Sequence, residues 1–226
     1  MLEAAYPFLV YFHLLLFVFW LGADLGVFIC GQWFRKRDIP LPERLRVLTL
    51  LVEIDMWPRT AWALMVPSSL SLLKAGGWWD VPTPLWLASI AIGIFWIWLV
   101  WQAHWAGQTP RAASLRRVEN VLKYALAAFY LGLGLVSLGL DKPLQPGWLA
   151  AKALLFGLIF LAAIMIDVAF KPVGKQLGAL ISQGSSDATE VPLRRTMDTT
   201  RVWVVAVYVL LIFTSFLGAT GPRWGL

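Results

Sequence analysis

The first apolar segment of the chain contains two residues that a membrane helix rarely carries, a histidine and an aspartate. The stretch YFHLLLFVFWLGADLGVF places His13, Trp20 and Asp24 at i, i+7 and i+11. At 100° per residue, these three side chains lie within about 20° of one line along a helix. An imidazole can bind a metal or carry a proton, and a carboxylate can accept a proton or pair with a cation. The stripe is therefore a candidate functional face, although hydrogen bonds between helices would also account for it.

Two pairs of opposite charges lie in other apolar segments. Asp55 and Arg59 are four residues apart in LLVEIDMWPRTAWALM, with the acid nearer the N-terminus, which is the favourable order for a helical ion pair. Glu119 and Lys123 have the same spacing and share a helical face with Tyr130. A charge at membrane depth costs roughly 2.5–3.5 kcal/mol on insertion scales, so such residues normally face a bundle interior with a partner. We expect both pairs inside a bundle, either as parts of a polar site or as ion pairs that lock helices together.

The composition indicates the elements that must position these residues. Hydrophobic residues make up 59% of the 226 residues and charged residues 14%, with a mean hydropathy of +0.71. This is more apolar surface than one soluble core of this length buries. A spanning helix needs roughly 20 apolar residues, and the segments that qualify are about 7–31, 47–73, 84–108, 119–140, 147–170 and 201–221. We predict an all-α polytopic membrane protein, a bundle of six transmembrane helices that forms a single domain over residues 1–226.

Basic residues concentrate at alternate ends of the predicted helices. The three connections that carry them hold Arg35, Lys36, Arg37, Arg44 and Arg46, then Arg111, Arg116 and Arg117, and finally Lys171, Lys175, Arg194, Arg195 and Arg201. By the positive-inside rule, the loops at about 32–46, 109–118 and 171–200 are cytoplasmic and both termini lie outside. We expect the polar run QGSSDATEVP in the last loop to be mobile. The net charge of +6 therefore reports topology, and no nucleic-acid partner is expected.

Estimated depths divide the polar residues of the predicted helices into two layers. With a rise of about 1.5 Å per residue from each helix midpoint, His13, Met65 and Lys152 lie about 9 Å toward the outside. The inner half holds Asp24, Glu53, Asp55, Gln102, His104, Lys123 and Asp167. His104 lies about 20 Å below His13 on this estimate, so the two histidines are not expected to bind one metal ion.

Two segments resemble known membrane protein families. The segment HLLLFVFWLG, His13 to Gly22, follows the pattern H-x6-W-[LFI]-[GA] and resembles the first helix of three groups. These are HemJ-type protoporphyrinogen oxidases, CopD-type copper-resistance membrane proteins and the membrane domain of cytochrome-linked urate oxidases; WLGADL is nearest to the CopD form. The segment GWLAAKALL, residues 147–155, is similar to the tryptophan-to-lysine segment of a later helix in the HemJ and CopD groups. ADLGVFICGQW stands where HemJ-type proteins have a Y-L-P-R-type segment, which speaks against protoporphyrinogen oxidation.

The resemblance implies a membrane helix bundle with a b-type haem, in which His13 is the axial ligand of the iron. Met65 or Lys152, at the same estimated depth, would be the second ligand, or that position would be open. Trp20 would pack on the macrocycle, and Lys152 or Arg59 would offer charge to a haem propionate or an anionic substrate. The chain has one cysteine, which excludes C-x-x-C-H attachment, so the haem would be bound non-covalently.

Three functions stay open at this point. The first is a membrane-embedded haem b redox protein or oxidoreductase, in which Asp24, Asp55 and Arg59 are the catalytic candidates and the inner layer moves protons. The second is a copper or other metal transporter of the CopD-like type, for which the soft ligands are scattered in depth. The third is a non-catalytic subunit of a membrane complex. The expected partners are the lipid bilayer and either an electron-transfer protein or a second copy of the chain. The expected location is a bacterial-type inner membrane.

Overall fold

The computed structural model describes residues 3–224, with side chains up to Gly221, and this part of the chain contains helices and no strand. A short 3-10 turn, Glu3–Ala5, precedes α1 (Tyr6–Phe34), α2 (Leu41–Ala75), α3 (Thr83–Trp105), α4 (Pro110–Leu140), α5 (Gly147–Phe170), α6 (Val173–Gln183) and α7 (Asp187–Trp224). Five helical segments are long and apolar enough to cross a membrane. They are Glu3–Phe34, Thr83–Trp105, Pro110–Leu140, Gly147–Gln183 and Asp187–Gly221. The predicted all-α class is confirmed, and the apolar helices are consistent with contact with a lipid bilayer.

The second helix is the long helix that composition does not mark as a span. It runs for 35 residues but contains Pro58, Pro67 and several charged side chains, which lower its apolar content. Most of its buried residues lie between Met56 and Ala75, in its second half. The prediction of six spans therefore has support for five helices and stays a prediction for α2.

Proline marks the start of each of the first four long helices. In α1 to α4 a proline occupies the first or second helical position. Proline suits this place because its fixed φ is helical and the N–H that it lacks would have no partner in the first turn. In α4 the hydroxyl of Thr109 also accepts the backbone N–H of Ala112 at 3.3 Å, which caps the helix. Short connections follow most of these helices and make their neighbours antiparallel.

Six long helices close into a ring around an aromatic core. Each of α1 to α4 packs on the next helix, and α7 packs on both α5 and α1. The aromatic core is built by α1 to α5 and contains Trp20, Trp62, Trp96, Tyr130, Phe156 and Phe160. Large apolar side chains cover the outside of the ring, among them Phe8 (67% exposed), Val121 (69%) and Ile212 (54%). Such a surface is consistent with a lipid-facing belt.

The polar run QGSSDATEVP joins two helices, since α6 ends at Gln183, residues 184–186 are not helical and α7 begins at Asp187. Much of the segment 171–200 folds as α6 and the first turns of α7. A second apolar core joins this unit to the rest of the protein and contains Phe34, Val173, Leu180 and Leu193. Arg44, which is 2% exposed, donates to the carbonyl of Phe34 at 2.7 Å and to both carboxylate oxygens of Glu190 at 2.7 and 3.1 Å. We call the end of the ring that carries α6 and these contacts of Arg44 the inner end, and the opposite end the outer end.

Candidate functional site

His13 lies in the outer half of α1, and its ring is oriented by α2. Its Nδ1 is 2.9 Å from the hydroxyl oxygen of Ser68, and that hydroxyl donates to the carbonyl of Met65 at 3.2 Å. When the serine hydrogen goes to the carbonyl, the hydroxyl oxygen accepts and Nδ1 carries the imidazole proton. Within residues 3–221, Nε2 of His13 makes no hydrogen bond. In that tautomer the lone pair of Nε2 is available to a ligand.

Two hydrogen-bond donors in the outer half have no acceptor among the described residues, the ammonium of Lys152 and the indole N–H of Trp148. Lys152 of α5 lies within electrostatic range of His13, and its ammonium is 6.0 Å from the ring centroid of Trp148. No carboxylate pairs with Lys152 among the described side chains. The buried indole N–H of Trp148 also has no hydrogen-bond partner there. Met65 is buried one helical turn from Ser68, on the same helix. The outer layer thus offers positive charge and donors to an anionic group.

The aromatic core separates the outer layer from the inner one. Trp20 stacks on Trp62 at a centroid distance of 5.6 Å and meets Phe156 edge-on at 6.4 Å. Trp62 in turn lies 4.8 Å from both Trp96 and Phe160. The rings of Trp20, predicted to pack on a bound macrocycle, thus pack on aromatic side chains of the protein. The indole N–H of Trp62 is buried without a partner among the described residues, although it lies at the centre of this core.

Lys123 is the most deeply buried charge of the inner layer. Its ammonium is 3.2 Å from the carboxylate of Glu119 and 2.9 Å from that of Asp167. The side chain of Lys123 is 3% exposed and that of Glu119 6%. The indole of Trp96 donates to Glu119 at 3.2 Å, and the ammonium also lies 5.6 Å from the ring centroid of Trp62. The predicted pair of Glu119 and Lys123 is therefore confirmed, and Asp167 completes it from α5.

The predicted pair of Asp55 and Arg59 is also present, but it is less enclosed. Nε of Arg59 is 2.6 Å from the carboxylate of Asp55, and the side chains are 37% and 26% exposed respectively. Arg59 lies within electrostatic range of Glu119 and Asp167, which joins the two pairs into one network. Asp24 lies within range of Asp55 and Arg59 but forms no ion pair with either. Of its two predicted partners, Asp24 is therefore close to Arg59, while Lys123 is paired with other carboxylates.

The inner network contains more carboxylates than cations. We define the network as the carboxylates Asp24, Asp55, Glu119 and Asp167 with the cations Arg59 and Lys123. When every group is ionised, two negative charges stay uncompensated. Uncompensated charge inside a membrane is costly, so the network is neutral only after it takes up two positive charges. Protons bound by the carboxylates would meet this requirement.

No family model, curated protein or solved structure matches this chain. The resemblance to HemJ-type and CopD-type proteins therefore rests on the two segments quoted above, and the function has to be argued from the residues of this site.

The second histidine pairs with Glu53 and is not part of the inner network. Nε2 of His104 is 3.5 Å from the carboxylate of Glu53, which is 62% exposed, near the inner end of α3. Among the described residues, no three His, Cys, Asp or Glu side chains are arranged to hold a metal ion. A site that binds a metal through several protein ligands thus has no support from the geometry, whereas a single axial histidine has no such requirement.

Three polar groups that the sequence patterns do not predict shape the site. Ser68 orients His13, Ser69 bonds the hydroxyl of Tyr130 at 3.1 Å, and Tyr208 donates to the backbone carbonyl of Asp24 at 2.8 Å. The available signal was the pair of serines in an apolar helix close to the estimated depth of His13. Tyr208 gave no such signal, because a tyrosine in an apolar helix does not indicate which group its hydroxyl bonds.

Proposed function

We propose that this chain is a membrane-embedded redox protein that binds a b-type haem through Nε2 of His13. The observation that carries the proposal is the contact between His13 and Ser68, which occupies Nδ1 and leaves Nε2 without a hydrogen bond among the described residues. A histidine that binds metal almost always donates its other ring N–H to a neighbouring oxygen, which fixes the tautomer and the orientation of the ring. The arrangement of His13 has this form.

The outer layer also holds groups whose chemistry suits a haem. A haem carries two propionates, and the unpaired ammonium of Lys152 and the unpartnered indole N–H of Trp148 are suited to an anionic oxygen. Met65 and Lys152 stay the candidates for a second axial ligand. When bound, the haem would supply one-electron chemistry, and the chain itself would hold it and exchange protons.

The inner network gives the chain a means of balancing charge during a redox reaction. Its two surplus carboxylates are suited to bind protons, and Asp24 is the one that forms no ion pair. We propose Asp24 as the proton acceptor, with Asp55 and Arg59 placing charge beside it. The proposed role of the inner network is proton exchange and not haem binding, because the aromatic core lies between the network and His13.

We further propose that α2 crosses the membrane as the sixth span. Its charged residues have partners at membrane depth, since Arg59 pairs with Asp55 and Glu53 lies beside His104. A helix whose charges are paired inside a bundle can span with lower hydropathy than one that faces lipid. Six spans place all the basic connections at the inner end, which by the positive-inside rule is cytoplasmic in a bacterial-type inner membrane.

The absorption spectrum of the purified protein tests the proposal. We expect a Soret band that is lost in His13→Ala and retained in His104→Ala, which removes the other histidine of the chain. Extraction with acidified organic solvent should release the pigment, since no covalent attachment site exists. The proposal is wrong if the protein has no Soret band when it is expressed with sufficient haem, or if His13→Ala keeps its full haem content.

Proton-coupled transport is a second candidate, favoured by the surplus of carboxylates, which does not depend on a haem. It predicts a proton flux in proteoliposomes that is lost in Asp24→Asn and unaffected by His13→Ala. A flux that follows His13 and the Soret band instead would assign the network to the redox protein.

A further inference from the structure

We propose that a basic cleft at the inner end binds the phosphate headgroup of an anionic phospholipid. The cleft has a volume of about 660 Å³ and lies between the end of α1 and the first turns of α7. It is lined by Gln32, Arg35, Lys36, Arg37, Asp38 and Arg194. Four of these six side chains are cations and one is a carboxylate. The proposal goes beyond the proposed function and does not depend on a haem.

Two of the four cations are available to a ligand. Arg35 and Arg37 form ion pairs with Asp198 and Asp187, both on α7, and these pairs join the two walls of the cleft. Lys36 and Arg194 are exposed and have no carboxylate partner among the described side chains. Two free cations beside fixed guanidinium groups suit a phosphate, whose oxygens accept several charge-assisted hydrogen bonds.

The cleft opens beside an apolar stripe on α1. The ammonium of Lys36 lies 4.5 Å from the ring centroid of Trp33, which is 51% exposed. Ile29 and Leu25 follow at successive helical turns and are 57% and 46% exposed. Tryptophan favours the membrane interface, so the cleft lies at headgroup depth and the stripe lies at acyl-chain depth.

Because the cleft adjoins the apolar stripe, a phospholipid fits it better than a free phosphate does. A free phosphate would need the cations alone, whereas a phospholipid uses both the cations and the stripe. Basic pockets at the ends of transmembrane helices are known to recognise acidic headgroups. The occupant that fits every feature is therefore a phospholipid with net negative charge, such as phosphatidylglycerol.

Native mass spectrometry of the detergent-purified protein can measure this binding. We expect phosphatidylglycerol to bind at lower concentration than phosphatidylcholine of the same chain length. The variant Lys36→Ala/Arg194→Ala should bind phosphatidylglycerol about 30-fold more weakly, from about fivefold for each free cation. The matched control Arg117→Ala/Lys171→Ala removes two exposed cations outside the cleft and should bind like the unmodified protein.

Three outcomes would overturn the proposal. The first is equal binding of the two lipids, and the second is an equal loss of binding in the control pair. The third is full competition by inorganic phosphate together with equal binding of short-chain and long-chain phosphatidylglycerol, which would identify a free anion as the ligand. Both pairs of substitutions are at exposed positions, and their melting temperatures should match that of the unmodified protein. A loss of phosphatidylglycerol binding at an unchanged melting temperature supports the cleft as the site.

Discussion

Nδ1 of His13 is 2.9 Å from the hydroxyl oxygen of Ser68, and this one contact sets the chemistry of the outer layer. When the serine hydroxyl donates to the carbonyl of Met65, it accepts from the imidazole, and the ring is held in the tautomer whose Nε2 is unprotonated.

Replacing Ser68 should weaken haem binding without removing it. Outer partners of metal ligands are typically worth 10–100-fold in affinity, so we expect Ser68→Ala to lower the haem affinity of the stripped protein by about this factor. Haem titration followed at the Soret band measures it. Ser69→Ala is the matched control, because that hydroxyl bonds Tyr130 and not His13. Equal losses in the two variants would contradict the role of Ser68.

Replacing Asp24 should separate the two layers. The rise along α1 puts Asp24 about 16 Å from His13, so Asp24→Asn should keep the Soret band unchanged while proton uptake on reduction falls. Optical spectra and a pH-sensitive dye in the same sample provide the two readings. Glu53→Gln, an exposed carboxylate outside the network, should alter neither of them. A changed Soret band in Asp24→Asn would mean that the network acts directly on the haem.

Lys123 should contribute more to stability than Arg59. Lys123→Met leaves the buried Glu119 and the partly exposed Asp167 without their cation, and breaking a buried pair typically costs about 3–5 kcal/mol. Arg59→Leu should cost less, because Arg59 and its partner are partly exposed. The triple variant Lys123→Met/Glu119→Gln/Asp167→Asn should recover part of the loss. Chemical unfolding in detergent gives the order, and a larger loss in Arg59→Leu than in Lys123→Met would reverse the assignment.

The sequence predicts the helices better than it predicts their partners. The fifth helix was expected at 147–170 and is found at Gly147–Phe170, because its length, its apolar composition and the preceding proline are all local signals. The spacing of Glu119 and Lys123 likewise indicated their contact. Asp167 joins Lys123 across 44 residues of chain, and no local pattern carries that information.

The inner-end unit, which consists of α6 and the first turns of α7, shows the same limit of local sequence patterns. Its polar composition predicts a mobile loop, whereas the structure forms helix over most of residues 171–200; its mobility stays a prediction. The decisive contact joins Arg44 to Glu190 across 146 residues, and it buries a charge pair that the sequence alone assigns to solvent. Helix content in this unit follows from packing between distant segments, so local propensity gave the wrong answer.

The packing of the inner-end unit should depend on pH through Glu190, which precedes the apolar part of α7. Hydrogen bonds from Arg44 hold the pKa of the Glu190 carboxyl below its usual range. The stabilisation is therefore present above the unfolded-state pKa of about 4.3 and is lost as the pH falls through the lower folded-state value. Pepsin cleavage within 171–200 should rise over this interval. Glu190→Gln should remove the pH dependence that this carboxyl contributes, and an identical profile in that variant would exclude Glu190 as the titrating group.

Close contact between α4 and α5 should make two glycines irreplaceable. A Cβ added at Gly134 would lie 2.5 Å from the backbone nitrogen of Leu154, and one at Gly157 would lie 2.8 Å from that of Leu131. Backbone atoms cannot move aside as a flexible side chain can, so Gly134→Ala and Gly157→Ala must push the helices apart. Overpacking of this kind costs about 1–3 kcal/mol, and we expect at least that loss in the free energy of unfolding.

Gly132 and Gly139 on α4 are the matched controls. A Cβ at either position would meet no atom within 4 Å. Alanine there should be neutral or stabilise the helix by about 0.5–1 kcal/mol, because glycine loses more backbone entropy on folding. Thermal melting of the four single variants in one detergent therefore tests the sign as well as the size of the effect. If Gly134→Ala and Gly157→Ala melted at or above the temperature of these controls, the two helices would not approach as closely as the structure shows.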